Sequence, residues 1–200
     1  YTTYSMNVKQ YYMAYNIIKL NNTSLIKGET DMSVLILNTL QNIPQDVLAL
    51  QDEICAKSKD SEIVYTDNMK ISHCIGCNYC WLKTPGICTI KDDYEIIFKK
   101  ILKHDEIIFI TDTKFGFVSY KMKNLLDRIL PIATMYLQFV DGQMRHVPRY
   151  DVRPKMGLIY VGEADREYLE RWMERVTLNF ESTSLGAYPV EEGRGILTCI

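Results

Sequence analysis

Hydrophobic and polar positions divide the chain into continuous apolar runs and amphipathic stripes that follow one another. Continuous apolar runs of strand length lie at 33–37, 107–110 and 157–162, and such runs predict strands that are covered on both faces. The segment 62–65, which begins with Glu62, predicts a further strand. Between the runs, apolar residues recur at three- and four-residue steps, which predicts helices that start near Gln45, Asp92, Ser119 and Asp165.

This alternation of strands and helices with short connections predicts an α/β fold, in which a parallel sheet is covered by helices on both faces. Ligands of such sheets bind beyond the carboxyl ends of the strands. A turn signal at Asp141-Gly142 lies between two short segments and predicts a β-hairpin outside this alternation. The sequence around 186–189 is consistent with a final strand.

Residues 1–31 differ from the rest and predict an N-terminal arm, followed by a domain over 32–200. Val8, Tyr11 and Tyr15 belong to a stripe at helical spacing, and the polar segment 27–31 after it is typical of a connector. Two interpretations of the arm stay open. It packs on its own domain as a surface helix, or it reaches a second subunit.

Charge and hydropathy exclude several classes of protein. The 23 Lys and Arg residues against 25 Asp and Glu give a net charge of −2, which does not favour binding to nucleic acid. No apolar run has the roughly 18–20 residues of a membrane helix, and the first residues have no signal-peptide pattern. We therefore expect a cytoplasmic protein that binds neither nucleic acid nor membranes.

Six cysteines are the unusual feature of the composition, and four of them share the loop after the second predicted strand: Cys74, Cys77, Cys80 and Cys88. The spacing C-x2-C-x2-C-x7-C lets consecutive thiolates converge on one inorganic core, and Pro85-Gly86 can fold the chain back towards Cys88. Four thiolates suit a [4Fe–4S] cluster. A tetrahedral zinc site, a disulfide and free thiols are the alternatives. Cys55 and Cys199 are predicted to be bystanders.

The segment 71–128 resembles the iron–sulfur flavoprotein branch of the NADPH-dependent FMN reductase family. The resemblance is carried by the cysteine motif, Lys91-Asp92-Asp93, the Phe115-Gly116 loop and Lys123-Asn124-Leu125-Leu126-Asp127-Arg128, and it extends over about 32–190. It implies a flavodoxin-like three-layer sandwich with a five-stranded parallel sheet. It also implies FMN at the strand ends, a dimer or tetramer, and NAD(P)H or ferredoxin as electron donor.

Carried onto this chain, the family pattern places FMN against two loops, with candidate contacts at Thr39, Gln41, Asn42, Thr111, Asp112, Thr113, Lys114, Phe115 and Gly116. The first loop departs from the family pattern. It contains neither Gly nor Arg, and Asp46 would occupy the helix end that usually favours a phosphate. In the second loop, Asp112 and Lys114 replace the usual Pro and Tyr.

Two functions are therefore predicted. The first is an FMN-dependent oxidoreductase, of the NAD(P)H-dependent FMN reductase kind, that also carries an iron–sulfur cluster. The second is a flavodoxin-fold protein that has lost FMN and serves as a non-catalytic or cluster-carrying subunit of a hetero-complex. The intact cysteine motif favours the first function, and the altered phosphate loop favours the second.

Overall fold

The computed structural model describes residues 32–200, and the predicted N-terminal arm over 1–31 lies outside the described residues. The described chain contains eight strands: β1 (Ser33–Asn38), β2 (Asp60–Tyr65), β3 (Glu106–Lys114), β4 (Phe117–Val118), β5 (Ala133–Val140), β6 (Gln143–Pro148), β7 (Lys155–Val161) and β8 (Ser184–Pro189). Its helices are α1 (Gln45–Lys57), α2 (Tyr79–Leu82), α3 (Tyr94–Ile101), α4 (Tyr120–Asp127) and α5 (Arg166–Asn179). Two 3-10 segments, Leu130–Ile132 and Val190–Thr198, complete it.

The central sheet has five parallel strands in the order β2-β1-β3-β7-β8, and the short β4 pairs antiparallel with the end of β3. Counted along the parallel strands, this is the 2-1-3-4-5 order of flavodoxin-like proteins. The strands β5 and β6 form a separate antiparallel hairpin. The predicted α/β fold with a hairpin outside the sheet is thus confirmed.

Two apolar layers lie on the two faces of the sheet because successive strand residues point in opposite directions. Val34 and Ile36 of β1 pack in the same layer as α1 and the C-terminal 3-10 segment. Leu35 and Leu37 pack on the other side, in the layer formed with α3, α4 and α5. The three-layer arrangement follows from this division. In the described part of the chain, no helix combines the length and the apolar character that crossing a membrane requires.

Two local differences from the sequence expectation bear on the candidate sites. The third strand does not end at Ile110 but continues to Lys114, where a tight turn leads into β4. The apolar residues Ile96, Ile97 and Ile101 are at helical spacing, which predicts that Ile96 faces the core. Helix α3 instead begins at Tyr94 and buries Tyr94 and Phe98, while Ile96 is exposed.

Candidate functional site: the cysteine loop and the sheet edge

The cysteine loop packs against the end of α4 and against the β5–β6 hairpin. The Trp81 indole N–H donates to the carbonyl of Leu130 at 3.0 Å, and its ring lies 5.0 Å from that of His146. The Tyr150 hydroxyl donates to the carbonyl of Gly86 at 3.2 Å. These contacts fix the loop between two elements that lie more than forty residues further along the chain.

Turns in the left-handed region give the loop its shape. Asn78 has φ 57° and precedes the short helix α2, which carries Cys80. Gly86 has φ 84°, and its amide donates to the carbonyl of Cys80 at 2.9 Å. The chain thereby folds back at Pro85-Gly86, as the sequence predicts, and returns to Cys88.

The four cysteines of the motif are neighbours with free, half-buried thiols. Burial raises the pKa of the Cys80 thiol, and the charges of Cys88, Cys74 and Cys77 raise it further. Within residues 32–200, however, no three His, Cys, Asp or Glu side chains are grouped closely enough to hold one metal ion. The loop therefore offers four neighbouring sulfur donors that do not converge on a single point.

A buried guanidinium ties this loop to the body of the domain. Arg128, at the end of α4, is 2% exposed. Its Nη1 donates to Asp92 Oδ2 at 2.5 Å and to the carbonyl of Ser72 at 3.2 Å. Its Nη2 donates to Cys88 Sγ at 3.5 Å and to the carbonyl of Ile90 at 3.3 Å. One side chain thus reaches both ends of the cysteine loop.

The surroundings of Arg128 keep it charged. Burial opposes the charge, but the carboxylate of Asp92 and the thiol of Cys88 raise the pKa of Arg128 above its usual value. The guanidinium also lies 4.5 Å from the centre of the Tyr94 ring, a favourable cation–π distance. Burial also acts on Asp92, yet its hydrogen bonds from Arg128 and from the amides of Ser72 and Tyr94 lower its pKa.

The second candidate site is the carboxyl edge of the sheet, where the structure brings β1 and β3 side by side. Thr39 is buried, and its hydroxyl donates to the carbonyl of Ile110 at 3.1 Å. The Thr111 hydroxyl is also buried and lies 2.9 Å from that of Ser119. Both threonines therefore use their hydroxyl groups within the protein.

The start of α1 differs from a usual phosphate site. Gln41 and Asn42 are exposed. Pro44 precedes the helix and provides no amide hydrogen, because proline has none. The Asp46 carboxylate accepts from the amide of Val47 at 2.8 Å, so an anion already lies at the positive end of the helix.

The remaining predicted flavin contacts belong to the β3–β4 turn. Phe115 and Gly116 have φ 54° and 76°, the signature of a two-residue type I′ hairpin, and the Phe115 side chain is fully exposed. Lys114 forms an exposed ion pair with Asp112 at 3.2 Å. The Thr113 hydroxyl donates to the carbonyl of Val161 at 3.4 Å. A strand extension thus replaces the open loop expected beside a flavin ring.

Helix α4 separates the two candidate sites. Ser119, which precedes α4, contacts Thr111 at the sheet edge, whereas Arg128, which follows α4, contacts Cys88. A helix of 8 residues is about 12 Å long, at 1.5 Å per residue. The structure thus gathers the cysteines in one place and the other predicted contacts in another.

A cavity of about 480 Å³ lies beside the cysteine loop. Cys74 and Gly76 line it on the loop side, and Trp172 and Phe180 line it on the side of α5. Its volume is within the range of small-molecule sites. One cysteine of the motif thus lines a space that a small molecule could enter.

The residues fit the two cofactors unequally. Four free thiols and a buried cation match the chemistry of an iron–sulfur cluster, whose ligands are thiolates and whose charge is negative. A cluster is larger than a single ion and holds its ligands further apart, whereas zinc requires four sulfurs at about 2.3 Å from one point. At the sheet edge, the engaged threonines, Pro44 and Asp46 do not fit a phosphate dianion.

Sequence reasoning did not foresee the contact of Arg128 with the cysteine loop. The sequence favours a structural or subunit-contact role for Asp127-Arg128, and the structure places Arg128 against a cysteine of the motif. The only signal in the sequence is that the Leu-Leu-Asp-Arg helix accompanies the cysteine motif in the family resemblance. The side-chain contact itself joins residues forty positions apart, and nothing local predicts it.

Comparisons with known proteins agree with this description. No family model matches the chain. The chain is 37% identical over 79 residues to an iron–sulfur flavoprotein of Methanocaldococcus jannaschii, a match that covers 40% of each protein. It is 33% identical over 100 residues to an iron–sulfur flavoprotein of Archaeoglobus fulgidus, a match that covers 48% of each. The matched segments thus span less than half of these relatives.

A solved structure extends the likeness in fold to most of the chain. The NAD(P)H:quinone oxidoreductase of Methanothermobacter marburgensis superposes with a TM-score of 0.55 at 16% sequence identity. The superposition covers 80% of this chain and 86% of that enzyme. The resemblance read from the cysteine motif is therefore confirmed: the chain is similar in sequence to iron–sulfur flavoproteins and has a flavodoxin-like fold.

Proposed function

We propose that this chain is an electron-transfer protein of the oxidoreductase class, in which Cys74, Cys77, Cys80 and Cys88 ligate an iron–sulfur cluster. The observation that carries the proposal is the docking of the four-cysteine loop around Arg128, a buried cation in contact with one of the sulfurs. The names of the two relatives support it, because both are iron–sulfur flavoproteins. We expect NAD(P)H or ferredoxin as the electron donor.

The cluster would supply one-electron exchange, and the chain's own residues would hold and position it. Cys88 is oriented by the Nη2 of Arg128, and Cys80 is held through the contact of its carbonyl with the amide of Gly86. Trp81 and Tyr150 fix the loop to the neighbouring elements through their hydrogen bonds. The cavity at Cys74 gives a small electron carrier a route to the sulfur ligands.

A second candidate function is the flavin-free one, a cluster-carrying subunit of a hetero-complex. The sheet edge favours it, because Asp46 opposes a phosphate at the start of α1 and the β3–β4 turn replaces an open loop. The names of the relatives favour a flavin instead, and we expect it to be FMN, with contacts at the predicted positions in 39–42 and 111–116. The two functions differ in one measurable property, which is the flavin content of the protein.

Purification under argon, followed by absorption spectroscopy and determination of iron, sulfide and flavin, tests both candidates. Iron and acid-labile sulfide in equal amounts support the cluster. A flavin band in addition supports the FMN-dependent oxidoreductase, and its absence supports the flavin-free subunit. Colourless protein without iron contradicts both functions.

The ligand assignment has its own test in a pair of cysteine variants. Cys77→Ser removes a predicted ligand, so we expect its iron content to fall by at least half. Cys55→Ser is the matched control, since Cys55 is a half-buried free thiol on α1, away from the motif. Equal iron contents in the two variants would contradict the assignment.

Two further properties belong to the same proposal. We propose a homodimer or homotetramer, because the β5–β6 hairpin carries several exposed apolar side chains, which often mark an interaction surface. We place the protein in the cytoplasm, since all six cysteines are unpaired, as thiols in a reducing compartment are.

A further inference from the structure

The buried Arg128 makes more contacts than are needed to anchor the cysteine loop. It donates to one carboxylate, one sulfur and two carbonyls, and it lies over the ring of Tyr94. Its charge cannot be lost at ordinary pH, since arginine stays protonated in proteins. A permanent positive charge therefore lies against Cys88 Sγ, shielded from water.

We propose that Arg128 is a positioning residue that sets the reduction potential of the cluster, and that Asp92 moderates its effect. This inference rests on the proposed cluster. Reduction adds a negative charge to the cluster, and a cation near one of its ligands stabilises the reduced form. Hydrogen bonds to the sulfurs and burial are general determinants of such potentials.

The negative charge of Asp92 offsets the effect of the Arg128 charge on the cluster. The hydrogen bond that Asp92 accepts from Arg128, however, holds the Arg128 side chain in place. The Asp92 carboxylate is 2.5 Å from Arg128 Nη1, and it also accepts from the amides of Ser72 and Tyr94. Removal of either partner weakens the same anchor of the loop. The electrostatic effects of the two removals, however, have opposite signs, and this difference separates a tuning role from a purely structural one.

The experiment is a redox titration of the cluster in wild-type protein, Arg128→Gln and Asp92→Asn, followed by electron paramagnetic resonance of the reduced form. In Arg128→Gln we expect the equilibrium constant for reduction to fall about tenfold, which is about 59 mV for a one-electron couple. In Asp92→Asn we expect it to rise severalfold, since Arg128 keeps its charge and loses its counter-ion.

Two variants serve as controls. Arg128→Lys keeps the charge and should retain a potential near that of the wild type, even if fewer molecules hold iron. Lys91→Gln removes a positive charge three residues after Cys88, but Lys91 is solvent-exposed, so water and salt should screen its effect. Its potential should equal that of the wild type.

Shifts in the same direction in Arg128→Gln and Asp92→Asn, or no shift in either, overturn the inference. Should Arg128→Gln retain no iron, the decision falls to Asp92→Asn, whose potential must rise. Wild-type protein without iron overturns the proposed function and this inference together. Iron-loaded wild type without opposed shifts overturns this inference alone.

Discussion

Gly86 is the residue on which the return of the cysteine loop depends. It has φ 84°, a conformation that costs a residue with a Cβ about 1 kcal/mol or more. A Cβ at this position would also lie 2.5 Å from the Tyr150 hydroxyl. Since that hydroxyl donates to the carbonyl of Gly86 itself, a side chain here would displace the contact that docks the loop.

We therefore expect Gly86→Ala to lower the free energy of unfolding by about 2 kcal/mol, from backbone strain and the lost hydrogen bond. Gly76→Ala is the matched control, because Gly76 has a similar φ of 65° but has open space around its Cβ position. It should lose about 1 kcal/mol, from strain alone. Urea unfolding of cluster-free protein measures both values, and equal losses would contradict the role given to Tyr150.

Individual residues also show which features of the cysteine loop can be predicted from the sequence and which cannot. The pair Pro85-Gly86 predicts a turn, because proline fixes its φ and glycine tolerates a positive φ, and the structure has that turn. The contact of Arg128 with Cys88 has no local signature, because it arises only when α4 packs beside the loop. Local chemistry thus predicts the shape of the loop but not the charge beside it.

Secondary-structure elements follow the sequence closely where burial decides them. The apolar runs predict the cores of β1, β3 and β7, since strands buried on both faces leave no room for polar side chains. The extension of β3 beyond Ile110 was missed, because its residues are polar and only Thr111 among them is buried. Phe115 in the β3–β4 turn has a positive φ, which is uncommon for a bulky residue and gives no signal in the sequence.

The β5–β6 hairpin is the element best suited to contact a second copy. Its Asp141-Gly142 turn has positive φ at both positions, as the dipeptide predicts. Leu137 and Phe139 of β5 are 55% and 72% exposed, and Met144 of β6 is 58% exposed. An isolated two-stranded hairpin is of marginal stability in water, so burial of this face would stabilise it.

We expect the double variant Leu137→Ser, Phe139→Ser to have a lower molar mass in solution than the wild type, with an unchanged circular dichroism spectrum. Loss of the apolar side chains removes the hydrophobic contribution to association. Tyr120→Ser is the control, since Tyr120 is 71% exposed but belongs to α4. Light scattering after size-exclusion chromatography gives the masses, and an unchanged mass of the double variant would rule out this interface.

At the scale of the whole molecule, the fold is flavodoxin-like and the chain is similar in sequence to iron–sulfur flavoproteins, whereas the residues at the sheet edge do not fit a phosphate dianion. The doubly wound sheet predicts a ligand beyond its carboxyl edge. The loop that follows β2 instead carries Cys88 to Arg128, which follows α4, whereas Ser119, which precedes this helix, lies at that edge. The cysteine loop can therefore keep its thiol ligands while the residues at the sheet edge change.

Replacement of Asp46 tests whether the sheet edge can change independently of the cysteine loop. A phosphate at the start of α1 would meet the Asp46 carboxylate, whose replacement by an amide removes the repulsion and leaves a helix end that favours anions. We expect Asp46→Asn to bind FMN about two- to fivefold more tightly than the wild type, as the 0.3–1 kcal/mol of a charge at a helix end implies. Quenching of FMN fluorescence measures the affinity.

The control for this prediction is Asp52→Asn, which changes the net charge equally on the exposed side of the same helix, almost two turns further on. The influence of the helix end falls off within the first turn, so Asp52→Asn should leave the affinity unchanged. Equal affinities of the two variants would mean that Asp46 does not oppose the phosphate. Unchanged iron content in Asp46→Asn is expected in every case, because the cysteine loop and the start of α1 share no hydrogen bond or ion pair in the described part of the chain.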